Sequence, residues 1–148
     1  MCGIIGYSGR FAPAALERGV RSLAHRGPDD SGVFEDAQAG VGLGHARLSI
    51  IDLSPLGHQP MEALDGAVQL VFNGEIYNYR ELRRELESKG HSFRGHSDTE
   101  VILHLYLEEG ERMLARLNGI FTVAFFDRRT GTTLVARDAL GVKPLYYT

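Results

Sequence analysis

Runs of strand character occupy both ends of this chain and helical periodicity fills its middle, and that order constrains the fold more than any other feature. Cys2 to Tyr7, rich in Ile and Gly, reads as a strand buried from its first residue. Ser31 to Glu35 and Val41 to Arg47 read as two strands joined by a loop at Asp36 to Gly40. Val68, Leu70 and Phe72 form an alternating, half-buried run that stops at the turn signal Asn73-Gly74. Near the C-terminus, Ile120 to Phe126 and Thr132 to Arg137 form a hairpin around Asp127 to Gly131.

Between these strands the period changes. Leu16, Val20 and Leu23 predict an amphipathic helix over Pro13 to His25, with Pro13 tolerated in its first turn. Asn78 with Glu81 has capping-box spacing, ahead of a stripe at Tyr79, Leu82 and Leu86 that Gly90 closes. Ser97 with Glu100 opens a second helix the same way; Val101, Ile102, Leu105 and Tyr106 are its buried face and Gly110 its end. A short third helix is predicted over Glu111 to Leu117. Leu48 to Asp52 is apolar and β-branched, Ser54 to Pro60 is loop, and Gly141 to Tyr147 is too short to assign. Together these predict an α+β fold with mostly antiparallel pairing.

The 148 residues fit one domain, without linker, repeat or low-complexity segment. A formal charge of -3 gives no electrostatic footprint for nucleic acid or an anionic membrane, so neither is expected as a partner. There is no secretory leader pattern and no apolar stretch of about 18 residues. The single cysteine, Cys2, forms no intrachain disulfide, which favours a reducing, cytoplasmic setting and makes its thiol a candidate nucleophile.

Removal of Met1, usual before a small second residue, would leave Cys2 with a thiol and a free α-amine on one residue. Such an amine titrates near about 7.7–8.0 and serves as base for its own side chain. An acyl-transfer thiol also needs oxyanion donors and a grip on its substrate. Asn73 and Gly74 offer an amide NH2 and a backbone N–H at the end of a strand, against the alternative of a plain hairpin turn. For a substrate with an amino-acid head, Arg47 would take the carboxylate and Asp98 the ammonium group, against the alternatives of a surface arginine and a helix-start carboxylate. Gly40, Gly42 and Gly44 fail the dinucleotide spacing at His45 and read as strand positions closely approached by another backbone or a ligand.

Five ordered stretches carry a resemblance: Cys2-Gly3-Ile4, His25-Arg26-Gly27-Pro28-Asp29, Arg47-Leu48-Ser49-Ile50-Ile51-Asp52, Asn73-Gly74-Glu75-Ile76-Tyr77-Asn78 and Ser97-Asp98-Thr99-Glu100. In order and spacing they resemble the glutaminase domain of glutamine-hydrolysing asparagine synthetases, a class II glutamine amidotransferase. The resemblance continues through Arg137-Asp138 and Gly141 to Tyr147, essentially the whole chain. It implies the N-terminal nucleophile fold, a four-layer α/β/β/α sandwich of two antiparallel sheets. It also implies Cys2 as nucleophile, Asn73 and Gly74 as oxyanion hole, and Arg47, Glu75 and Asp98 on the glutamine head group. Backbone of Leu48, Ser49, Ile50 and Ile51 would assist, and Arg26 would lie near the substrate.

The reaction implied is hydrolysis of glutamine to glutamate and ammonia through a γ-glutamyl thioester. The ammonia would supply asparagine synthesis from aspartate in an ATP-dependent synthetase domain, in cis or in trans. No cofactor is implied for residues 1–148; ATP and Mg belong to that synthetase domain, whose phosphate loops this sequence lacks. The family's glutaminase domain also runs on past Lys143-Pro144-Leu145-Tyr146-Tyr147, so the chain reads as a fragment or a C-terminally shortened form with incomplete sheets. A homodimer is left open. The alternatives are the glutaminase half of a sister amidotransferase, a non-catalytic glutamine-binding or regulatory module, and a metal hydrolase using His91, His96 and His104. The spacings of these histidines fit no standard zinc signature, and no metal site is expected.

Overall fold

The computed structural model describes residues 1–12 and 14–148. Among these residues, seven strands form two antiparallel sheets. The first, ordered β1-β3-β2, joins β1 (Gly3–Ser8), β3 (Val41–Arg47) and β2 (Asp30–Asp36). The second, ordered β4-β5-β6-β7, joins β4 (Met61–Ala63), β5 (Val68–Ile76), β6 (Gly119–Asp127) and β7 (Thr132–Arg137).

Period-two alternation sorts the strand residues into layers. Val41 and Leu43 of β3 meet Val71 of β5 and Ala124 and Phe126 of β6, closing the interface between the sheets. The opposite face of the second sheet, with Leu70, Phe72, Val123 and Phe125, packs on Leu82 and Leu86 of α2 (Tyr79–Ser88) and Val101, Ile102 and Leu105 of α3 (Asp98–Glu109). Each such buried side chain contributes roughly 1.5–3 kcal/mol. On the far side of the first sheet lies α1 (Ala15–Ser22), burying Leu16 and Val20. Val20 comes so close to Gly44 that a Cβ there would overlap it, and the Tyr7 ring covers Gly42 in the same way. Side chains rather than a ligand therefore account for these two glycines. The layers are α/β/β/α, as expected.

Several elements differ in detail from the sequence reading. The helix expected over residues 13–25 is α-helical only over Ala15–Ser22; Leu23 N–H bonds to Val20 O and Ala24 N–H to Arg21 O, tightening its end into turns. Pro13 lies outside the described residues. Residues Gly110–Arg116 form a 3₁₀ rather than an α-helix, and the short β4 and a 3₁₀ turn at Pro55–Gly57 interrupt the stretch read as loop. Asn73-Gly74 is not a turn. β5 runs through it to Ile76, with Asn73 opposite Thr122 and Gly74 opposite Phe121. A Cβ on Gly74 would stand 2.6 Å from Phe121 Cα, so the glycine serves close strand approach. Ser97 caps α3 as expected, accepting from Glu100 N–H, but Asn78 makes no cap; its side chain bonds Arg116 O and Asn118 N–H instead.

Candidate active site

Alternation also delivers the candidate residues to one place. Cys2 precedes β1 on the inter-sheet face of Ile4; Arg47 ends β3 on the face of Leu43; Asn73 and Glu75 end β5 on the face of Val71. Pairing of Gly3 with Ala46 brings the start of β1 to the end of β3. Cys2, Arg47, Asn73, Gly74, Glu75 and Asp98 all line one cavity of about 180 Å³, smaller than the roughly 300–1,000 Å³ of drug-sized ligand sites. Leu48, Ser49, Ile50 and Ile51 form another wall of it.

The thiol is bracketed by one backbone residue: Cys2 Sγ lies 3.5 Å from Leu48 O and accepts from Leu48 N–H at 3.3 Å. Arg26, expected at the substrate, does not line the cavity. Its Nε–H donates instead to Cys2 O at 3.2 Å, so it fixes the peptide that carries the nucleophile. Ser49 N–H donates to Asp29 Oδ2 at 2.7 Å, which pins the wall from outside.

Arg47 is buried, and its guanidinium already donates to Asp52 O and to Ser54 O. With five N–H donors it keeps others for a carboxylate. The head sits against Gly57, where any Cβ would overlap Arg47 Nη2. Asp52 closes the loop on itself and on the start of α3, accepting from Ser54 N–H at 2.8 Å and His96 N–H at 2.9 Å. The His96 bond and those from Ser54 hold its carboxyl below the usual range despite partial burial.

β4 pairs with β5 only as far as Leu70, which leaves the edge of β5 bare beyond it. Side chains take over. Phe72 N–H donates to Gln59 Oε1 at 2.7 Å, His45 Nε2 lies 3.1 Å from Phe72 O, and Ile76 N–H donates to Asp98 Oδ2 at 3.1 Å. Hydrogen-bonding direction alternates along a strand, so Gly74 turns its N–H toward the same edge, between the groups of Phe72 and Ile76. Asn73 and Gly74, which can each offer a donor, line the same cavity as the thiol.

Asp98 also accepts from Thr99 N–H at 2.9 Å. Burial raises its carboxyl to about 6, against the lowering by its backbone donors and with a further push from Glu75. A buried carboxylate of this kind gains most from a cation placed on it.

Among the cavity residues that the sequence reading did not single out as candidates are Gln59, Thr99 and Lys143. Gln59 lay in an apparent loop, and Thr99 only inside the quoted Ser97-to-Glu100 stretch; neither carries a charge or spacing that marks it. Lys143 lay in the unassigned C-terminal stretch, though a lysine there in an apolar run was a usable signal. Its Nζ lies 2.7 Å from Met1 Sδ, and Asp138 ties the segment down by accepting from Phe121, Val142 and Lys143 N–H. His91 and His104 face each other at 3.0 Å between their Nδ1 atoms, with Glu108 on His91 Nε2. Among the described residues no group of three or more His, Cys, Asp or Glu is gathered in metal-ligating geometry.

Comparison with known proteins adds identity to geometry. A family described as a glutamine amidotransferase domain matches residues 1–148. Asparagine synthetase (glutamine-hydrolysing) 1 of Bacillus subtilis is 41% identical over 155 residues, covering 100% of this chain and 24% of that protein. Asparagine synthetase (glutamine-hydrolysing) of Sandersonia aurantiaca is 44% identical over 151 residues, covering 99% and 28%. The chain thus spans about a quarter of the length of these relatives. Among solved structures, glutamine phosphoribosylpyrophosphate amidotransferase from B. subtilis superposes with a TM-score of 0.71 at 24% identity, covering 93% of this chain and 36% of that one. At that identity the likeness is one of fold.

Proposed function

The chain belongs to the glutamine amidotransferase domain family, and from that premise we propose that it hydrolyses glutamine to glutamate and ammonia with Cys2 as nucleophile. One observation carries the reading: the thiol, two oxyanion donors, a buried cation and a buried anion line the same cavity. Its fold is the N-terminal nucleophile sandwich, in which the reacting residue leads the first strand.

Once Met1 is gone, the Cys2 α-amine takes the thiol proton and the sulfur attacks the side-chain amide carbon of glutamine. The tetrahedral oxyanion forms where the Asn73 amide and the Gly74 N–H converge. Collapse breaks the C–N bond; the amine returns the proton to the leaving nitrogen, and ammonia departs. Water then adds to the thioester, giving its proton to the amine, and glutamate leaves as the thiol reforms. Arg47 holds the substrate carboxylate; Asp98 and Glu75 hold its ammonium group, with backbone of Leu48 to Ile51 against the chain. Arg26 acts through the Cys2 peptide rather than on substrate.

The names of the relatives support a wider role: the ammonia serves asparagine synthesis from aspartate in a synthetase partner that uses ATP and Mg. Those cofactors act in that partner, in cis or in trans, and glutamine is the ligand of this chain. A cytoplasmic setting fits the lone thiol. Among the described residues no helix is long and apolar enough to cross a membrane.

The test is glutamate release by protein whose mass establishes loss of Met1, compared with Cys2→Ala. The substitution is expected to abolish release and the trapped γ-glutamyl adduct; release unaffected by it would refute the thiol mechanism. One observation favours a second reading. Met1 lies at the cavity, near Lys143, and while it is retained the Cys2 nitrogen is a peptide nitrogen that cannot take the thiol proton, so such protein is a module without turnover.

A further inference from the structure

His45 is fully buried at the centre of β3, and its chemistry is not used by the reaction above. Phe72 O only accepts, so the 3.1 Å contact requires the proton on Nε2. Nδ1 is then a bare acceptor, and among the described residues it is the one buried side-chain N or O without a hydrogen-bond partner. An orphaned buried acceptor costs stability, and an apolar residue of similar volume would avoid that cost. The imidazole therefore earns its place through Nε2–H alone.

That donor grips an informative atom. Phe72 C=O and Asn73 N–H belong to one peptide plane, so fixing the carbonyl fixes the plane from which the Asn73 side chain springs. The other side of Phe72 is held too, its N–H by Gln59 Oε1, and Gln59 is itself buried and leans on Thr99 Oγ1 at 3.4 Å. Beyond Leu70 no strand among the described residues pairs with this edge of β5, so these two side chains stand in for a strand where Asn73 and Gly74 must point their donors. Oxyanion stabilisation depends on donors preorganised to within fractions of an ångström.

We infer that His45 is a positioning residue for glutamine hydrolysis: with Gln59, it clamps the peptides on either side of Phe72 and thereby aims the Asn73 amide and the Gly74 N–H at the cavity. The inference rests on the hydrolysis proposed above. His45→Met removes the donor and keeps the volume; His45→Gln restores an N–H donor at the reach of Nε2. In full-length protein freed of Met1, His45→Met is expected to lower kcat by about 10- to 100-fold with KM within about twofold, because the donors act in the transition state. Alkylation of Cys2 by iodoacetamide, which needs no oxyanion hole, is expected to keep its rate, and His45→Gln to recover most of kcat. If His45→Met fails to fold, His45→Asn, too short to reach Phe72 O, takes its place with the same expectation.

Wild-type kcat in a folded donor-less variant, an equal loss of alkylation rate, or no recovery in His45→Gln would each overturn the assignment. Amide NMR separates it from the hydrolysis itself. The Asn73 side-chain NH2 and Gly74 N–H resonances are expected to shift in His45→Met and stay put in His45→Gln. Such shifts in a protein whose wild type releases no ammonia would refute the hydrolysis and keep the clamp; unmoved resonances would refute the clamp.

Discussion

Burial acts on Asp98 and on His45 with opposite sign. It raises the Asp98 carboxyl from 3.8 to about 6, so the native state takes up a proton that the unfolded chain does not hold. That contribution to stability is complete below about pH 4 and is lost as pH rises through 6. Burial lowers His45 from 6.5 to about 4; the Phe72 carbonyl and Asp30 oppose this, while Arg47 and His58 add to it. Its contribution is present above pH 6.5 and is lost as pH falls toward 4. Each is on the order of 3 kcal/mol, and over the shared window they offset one another. The expected outcome is a pair of diverging urea midpoints: Asp98→Asn loses stability on acidification from pH 6.5 to 4.5, whereas His45→Met gains it. Parallel profiles would contradict the opposition. The same carboxyl predicts substrate binding. KM for glutamine is expected to rise about tenfold per pH unit below about pH 6, as Asp98 takes up its proton, and to be high and flat over that range in Asp98→Asn. That Cys2 and Asp98 come to one cavity was suggested in the sequence because one leads into the first strand and the other opens α3, where residue type and position together point to a role. The place of Arg26 was not, since a motif gives neighbourhood but not which atom a guanidinium reaches.

The loop after β3 is an element in its own right, although the 3₁₀ turn at Pro55–Gly57 is all that is regular in it. Arg47 bonds its backbone at Asp52 and Ser54, Asp52 ties it to His96, and Gly57 leaves the space that the guanidinium fills. Gly57→Ala is therefore expected to push the Arg47 head from its position and raise KM for glutamine about tenfold or more, with kcat less affected, because carboxylate binding is shared by ground and transition states. Equal kinetics in a folded variant would show that the head has freedom the geometry denies. Local patterns gave α3, β6 and β7 closely, since capping, periodicity and a Gly-containing hairpin loop agree there. They failed at Asn73-Gly74, where nine paired positions along β6 outweigh a two-residue turn preference, and at Asn78, whose side chain finds partners around residue 117 rather than on its own helix. The three-residue β4 is too short to leave a period.

At the scale of the molecule, two sheets meet through a modest set of side chains, and the cavity opens where that interface runs out of apolar residues. The layer order was legible, because strands flanking helices permit few sandwiches. Which residues converge at the mouth came from the family resemblance and not from periodicity, because convergence depends on register. The bare edge of β5 has one more consequence. Unpaired strand edges recruit other chains, and natural proteins block them. Here an imidazole, a carboxamide and a carboxylate do the blocking at Phe72 and Ile76. Losing two of these stoppers together, as in a His45→Met/Gln59→Leu double variant, is expected to turn the groove into a seed for fibrillar growth, with thioflavin fluorescence and light scattering rising at concentrations where the parent stays clear. Solubility and turnover would then hang on the same few side chains.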